Sequence, residues 1–248
     1  MSRIQELLDR KRRDVESRKL TARSISKKLE IPTDDRRMRW SKRRFHLIAE
    51  IKRASLSAGS IRPNLRLKSI ARAYEKAGVS AISILTEEHY FGGSLQDLKR
   101  VRKAILLPLL QKDFIIDPFQ ILEAKDAGAD FVLLIVRFLT KNQLRSLLKL
   151  CEEIQINAIV EITNKRDLDK LSDPVAFLGV NSRDLDTLEI DTKKFARLIE
   201  LLPKESFLIA ESTLNPSMRG MMRSSRIRSG FSFCASLTPN SPSSADMT

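Results

Sequence analysis

The chain has 248 residues, of which 42% are hydrophobic and 31% charged, with a net charge of +14. That balance fits a folded protein with a sizeable core and excludes a disordered one, and no window nears 18 consecutive apolar residues, which excludes a transmembrane helix. Two cysteines (Cys151, Cys234) and two histidines (His46, His89) exclude a disulfide framework and a CxxC or histidine-rich metal site; with a charged N-terminus lacking an apolar leader, they predict a cytoplasmic protein.

The charge is unevenly spread. Residues 1–53 hold 18 Lys/Arg against 8 Asp/Glu, so +10 of the +14 lies in the first fifth of the chain. Such a segment could meet nucleic acid or an acidic membrane surface. Trp40 and Phe45 are its only aromatics, however, which disfavours base stacking. The apolar residues of IQELL, VESRKL and SISKKL recur at helical spacing, so residues 1–45 read as a solvated helical extension.

From residue 46 short apolar runs alternate with amphipathic stretches. HLIAEIK (46–52), SAISILT (80–86), LPLLQKD (107–113), FVLLIV (131–136), NAIVEI (157–162), VAFLGVN (175–181) and SFLIAES (206–212) have the Ile/Leu/Val content of strands buried on both faces. Helices are predicted between them at 67–78, 94–105, 118–128, 140–154, 164–171 and 192–202, with Gly78 and Gly128 as C′ residues. Seven βα units at this regular spacing predict a parallel sheet, and a (β/α)8 barrel over an open sheet, since neither GxGxxG nor a Walker A loop occurs. The boundaries expected are an extension at 1–45, barrel units one to seven at 46–216, and an unusual segment at 217–248 in which the eighth unit is degenerate or missing, with at most a partial strand at 230–237.

In such a barrel, polar residues at the C-terminal ends of strands face the active site. Here those ends carry Glu50 and Lys52 (two apart, hence on one face), Lys112, Glu161, Asn181 with Arg183, and Glu211 with Ser212. Any one of them could be a structural ion pair. Three carboxylates and three cations converging on one rim would instead perturb each other's pKa values, as proton-transfer chemistry requires.

At these residues the sequence resembles the indole-3-glycerol phosphate synthase family. The segments that carry the resemblance are IAEIKRASLSAG (48–59), LTEEHYFGGSLQDL (85–98), LLQKDFIIDPFQILEAKDAGAD (109–130), VEI (160–162), GVNSRDLDTLEID (179–191) and LIAES (208–212). The resemblance implies a tryptophan-pathway lyase without metal or organic cofactor, acting on the small phosphorylated substrate 1-(2-carboxyphenylamino)-1-deoxyribulose 5-phosphate. It implies Lys112 as the acid on the ketose oxygen, Lys52 as the cation for the departing carboxylate, Glu161 as the proton carrier of dehydration, and Glu50 as its support. It further implies that Asn181 and Arg183 orient the substrate, that Glu211 holds the lysines charged, that Ser212 and Ser57 contribute to binding, and that Phe91 and Phe114 flank the aromatic ring. Partnership with other tryptophan-pathway enzymes is left open.

Two departures from the family pattern stand out. Ser55-Leu56-Ser57-Ala58-Gly59 has Leu where the family has Pro. More severely, residues 214–248 hold nine Ser, three Pro and four Arg but one acid, Asp246, where the family has a helix and a glycine-containing phosphate loop. Codons for Gly220-Met221-Met222-Arg223-Ser224 read in another frame give a family-like acidic stretch, and CASLT (234–238) again resembles the family, so a frameshift near Ser217 recovering near Phe233 is expected, with Ser236 as a residual phosphate contact. The alternative to the synthase is an impaired barrel of the same family that retains anion or partner binding. A neighbouring isomerase barrel leaves KDFIIDPFQI and the Glu50/Lys52 pair without a reason.

Overall fold

The computed structural model describes residues 3–21, 45–56, 59–184, 187, 189–203, 205–212 and 231–235. Among the described residues a helix, α1 (Arg3–Thr21), precedes eight parallel strands: β1 (His46–Ile51), β2 (Ala81–Leu85), β3 (Leu109–Lys112), β4 (Phe131–Ile135), β5 (Asn157–Ile162), β6 (Phe177–Asn181), β7 (Phe207–Glu211) and β8 (Phe231–Ala235). They form a closed barrel in which β8 pairs with both β7 and β1. The helices between them are α2 (Leu67–Lys76), α3 (Leu95–Arg102), α4 (Pro118–Asp126), α5 (Lys141–Glu153), α6 (Lys165–Leu168) and α7 (Thr192–Ile199). A two-residue hairpin, Ala54–Ser55 against Gly59–Ser60, follows β1.

The seven predicted strands all form, and the fold is the expected (β/α)8 barrel with an N-terminal helix. The eighth strand, expected to be degenerate or missing, occupies its slot over five residues with a regular register, His46 to Ser232 through Ala49 to Ala235. Exposed edges at β1 and β7, which an unfinished barrel would have, are therefore paired. Residues 213–230 and 236–248 lie outside the described residues, and with them the frameshift segment and Ser236; so do Ser57 and the SISKKL stretch.

Local sequence accounts for the helix ends. Asp117 and Gln120 form a capping box with Pro118 at the first helical position of α4, and Thr140 and Gln143 form another at α5. Gly78 and Gly128 take φ of +80° and +88° where α2 and α4 turn into the next strand, a conformation cheap only for glycine. The helix expected at 164–171 is shorter, a single turn at Lys165–Leu168. Pro174 disfavours helical backbone at Asp173, and Asp167 turns its carboxylate back onto Thr163 N and Oγ1, each at 2.9 Å.

Two apolar layers hold this together. One lies between strands and helices, built on residues such as Ile82, Leu98, Leu134, Leu144 and Leu178. The other fills the barrel with Ile48, Leu110, Phe131, Leu133, Ile159 and Ile209, and continues onto Ile4, Leu7 and Leu8 of α1. Burying each of those α1 side chains contributes roughly 1.5–3 kcal/mol. Polar links seat the helix over the loops after β1 and β2 and on α4: Arg3 Nη1 donates to Leu56 O (3.4 Å), Asp14 pairs with His89 (2.9 Å), and Arg18 forms a two-point pair with Glu123 (2.9 and 3.0 Å).

Candidate active site

Strand alternation decides what faces the barrel axis. Ile48 and Glu50, Leu110 and Lys112, Ile159 and Glu161, Ile209 and Glu211 are pairs two apart, so each strand presents an apolar residue below and an ionisable one above. The upper residues open on a cavity of about 230 Å³ at the C-terminal mouth. Among its lining are Glu50, Lys52, Phe91, Lys112, Phe114, Glu161, Asn181, Arg183, Glu211 and Ser212, that is, every site residue expected from sequence that falls within the described residues.

These groups form two ionic clusters. Lys52 Nζ donates to Glu50 Oε1 at 2.6 Å. Across the mouth, Lys112 Nζ donates to Glu211 Oε2 at 2.7 Å and lies 3.9 Å from Glu161 Oε2. Glu161 Oε1 accepts from Asn181 Nδ2 (3.1 Å), and Asn181 Oδ1 accepts the Arg183 N–H (3.0 Å), so the amide of Asn181 is oriented at both ends. Glu161 is 1% exposed. Burial, then repulsion from Glu211, raises its pKa to about 8 against the opposing pull of Lys112 and Asn181. Near neutral pH it is thus mostly a protonated carboxyl that can give a proton, and the carboxylate left behind can take one back.

Phe91, in the loop after β2, and Phe114, just after β3, also line the cavity, ring centroids 6.3 Å apart and tilted at 43°. Leu85, Leu133 and Ile135 supply apolar lining, Leu85 in register with Lys112 and Ile135 with Glu161. Ser212 adopts φ +58°, sparsely populated for a residue with a side chain, and its carbonyl accepts from Ser182 Oγ at 3.1 Å. Leu56, in the place of the family proline, also lines the cavity and packs against the inner core.

Several supporting residues escaped sequence reasoning. Glu87, 1% exposed, accepts the N–H groups of His89, Tyr90 and Phe91 at 3.1, 2.7 and 3.1 Å and so shapes the loop that presents Phe91. Gln120 donates to Phe114 O (2.9 Å) and accepts from Ile116 N (2.9 Å) and Asp117 N (3.2 Å), which is the physical content of the FIIDPFQ stretch. Arg53 ties Gly92 O (2.9 Å) to Asp97 (3.1 Å). Gly179 of β6 has no side chain because a Cβ there would lie 2.8 Å from Glu211 Oε1. Cys151 is buried with its thiol pushed up to about 12, which leaves it unreactive. Among the described residues no cluster of three metal-ligating side chains exists, and no helix is long and apolar enough to cross a membrane.

A closed parallel barrel with acids, bases and a raised carboxyl gathered at its C-terminal mouth defines an enzyme of the (β/α)8-barrel class. Solved structures agree on the fold: phosphoribosyl anthranilate isomerase from Thermotoga maritima superposes with a TM-score of 0.55 at 15% identity over 77% of this chain and 87% of its own, and 3-keto-L-gulonate-6-phosphate decarboxylase from Vibrio cholerae with 0.54 at 13% over 77% and 88%. The chain belongs to the indole-3-glycerol phosphate synthase family, whose sequence profile matches residues 4–229. Relatives named indole-3-glycerol phosphate synthase include those of Campylobacter hominis, 40% identical over 86% of this chain and 85% of that protein, and Parafrankia sp., 41% identical over 86% and 81%. That of Mycobacterium ulcerans is 47% identical over 67% of this chain and 61% of its own length.

Proposed function

We propose that this chain is a carboxy-lyase of tryptophan biosynthesis that closes the indole ring of 1-(2-carboxyphenylamino)-1-deoxyribulose 5-phosphate, releasing CO2 and water to give indole-3-glycerol phosphate. The observation that carries the reading is the pairing across the mouth: Lys112 held by Glu211 and facing Glu161 on one side, Lys52 held by Glu50 on the other. Ring closure needs a proton on the ketose oxygen, and the Lys112 ammonium supplies it. The carboxylate that leaves as CO2 meets Lys52. Dehydration then needs one proton removed and one delivered, a task suited to a carboxyl whose pKa is near 8. Asn181 and Arg183 orient hydroxyls and carboxylate, while Phe91 and Phe114 enclose the aromatic ring. Ser212, with Ser57 and Ser236, is assigned to substrate binding. Atoms balance without an oxidant or a group carrier. The same reading takes residues 1–45 as an extension, 46–216 as barrel units one to seven and 217–248 as the aberrant end, in a cytoplasmic enzyme.

The test is turnover of that substrate by the purified chain, followed by indole fluorescence. Lys112→Ala is expected to lower kcat by about 10²–10⁴-fold, the usual contribution of a positioned acid. A folded parent chain without turnover would instead support an impaired barrel that has kept the cluster but lost substrate capture.

A further inference from the structure

We propose that Lys11 of α1 is a positioning residue for this reaction: through a buried ion pair with Asp113 it fixes the segment that presents Lys112 and Phe114 to the cavity. The inference rests on the activity proposed above. Lys11 falls on the buried stripe of α1, in helical register with Ile4, Leu7, Leu8 and Val15, where a further apolar residue would be ordinary. Its Nζ lies 2.8 Å from Asp113 Oδ1, and the two side chains are 5% and 6% exposed.

Asp113 has further obligations. Its Oδ2 accepts from Thr86 Oγ1 at 2.7 Å, and its Oδ1 also accepts the N–H of Phe114 at 2.7 Å. Thr86 Oγ1 in turn accepts from Gln111 Nε2 at 3.1 Å. One carboxylate therefore joins α1, the end of β2 and the residues after β3. It sits in the chain between Lys112 and Phe114, both of which line the cavity. Buried ion pairs add little net stability compared with apolar residues of the same size. Two charges kept in an apolar docking face are better explained by geometry: a carboxylate holding three donors defines one arrangement of the backbone that carries them. The other ion pairs of α1, to His89, Asp117 and Glu123, are more exposed and lie on loop or helix residues away from Lys112.

The single variant Lys11→Met leaves Asp113 buried without its cation and so confounds position with stability. Lys11→Met combined with Asp113→Asn removes both charges and leaves the net charge of the site unchanged. The double variant is expected to melt near the parent, to lose kcat about tenfold with KM within about twofold, and to exchange its amides at 112–114 faster. Lys11→Arg, which keeps the cation, is expected to retain kcat within about threefold. A folded double variant with parent-like exchange at 112–114 overturns the proposal whatever its rates, and so does faster exchange beside an unchanged kcat. Should the parent itself not turn over, the proposed activity fails on its own, while exchange at 112–114 still decides whether Lys11 holds that segment.

Discussion

A carboxyl with a pKa near 8 is a statement about stability as well as chemistry. Unfolded, Glu161 titrates near the ordinary glutamate value, so between about pH 4.3 and that raised value the native chain holds a proton that the unfolded chain releases. Stability contributed by the protonated group is complete below the unfolded pKa and is lost as pH rises through the folded one. Glu161→Gln removes this dependence while keeping an acceptor for Asn181. Its melting temperature should therefore gain on the parent's between pH 5 and pH 9, and a difference constant across that range would contradict the burial argument. Gly179 poses the complementary case of shape. An added Cβ 2.8 Å from Glu211 Oε1 must displace that carboxylate, and with it the partner of Lys112. Gly179→Ala should cost about 1–3 kcal/mol by overpacking. It should also lower kcat by up to about 10²-fold through misplacement of the acid; chemical denaturation and steady-state kinetics on the same preparation test both.

Elements differ in how legibly the sequence writes them. Strand-length runs of Ile, Leu and Val, punctuated by Gly78 and Gly128, announce β1 to β7 because a strand buried on both faces has no freedom to be polar. The rim residues were equally readable, since alternation places Glu50, Lys112, Glu161 and Glu211 above apolar partners on the same face. Roles for them came from resemblance, as spacing alone assigns none. What local pattern hid were groups whose partners are distant or are backbone. Lys11 reads as one more cation of a basic helix until Asp113, about a hundred residues on, is placed beside it. Glu87 sits in a quoted motif, yet its work is to bind three N–H groups of its own loop, which no periodicity reports. Hydrogen bonds to a charged group contribute about 1.5–3 kcal/mol each when lost. Glu87→Gln should thus loosen the loop and raise KM several-fold through Phe91, with a smaller change in kcat. A fall in kcat at constant KM would place Glu87 in the chemistry instead.

At the scale of the whole molecule, everything depends on ring closure. Each barrel strand is short, from four to six residues, and none could persist alone as an edge. β8 is the element least expected from the sequence, because the segment that carries it lies beyond residues 4–229, which match the family profile. Yet its backbone joins β7 to β1, with Phe231 in register with Leu208 and His46 with Ser232. Closure also fixes the distance across the mouth. Glu50 and Lys52 stand on or just after β1, and Glu211 ends β7, so β8 sets the separation between the two ionic clusters. Removing residues 231–248 should leave β1 and β7 as unpaired parallel edges. The shortened chain is then expected to lose its single cooperative unfolding transition and to associate in a concentration-dependent way, checked by calorimetry and light scattering. A monomeric truncated chain that still unfolded in one step would mean that seven strands and α1 suffice, and that the spacing of the clusters is set by the helices outside the barrel rather than by the ring within it.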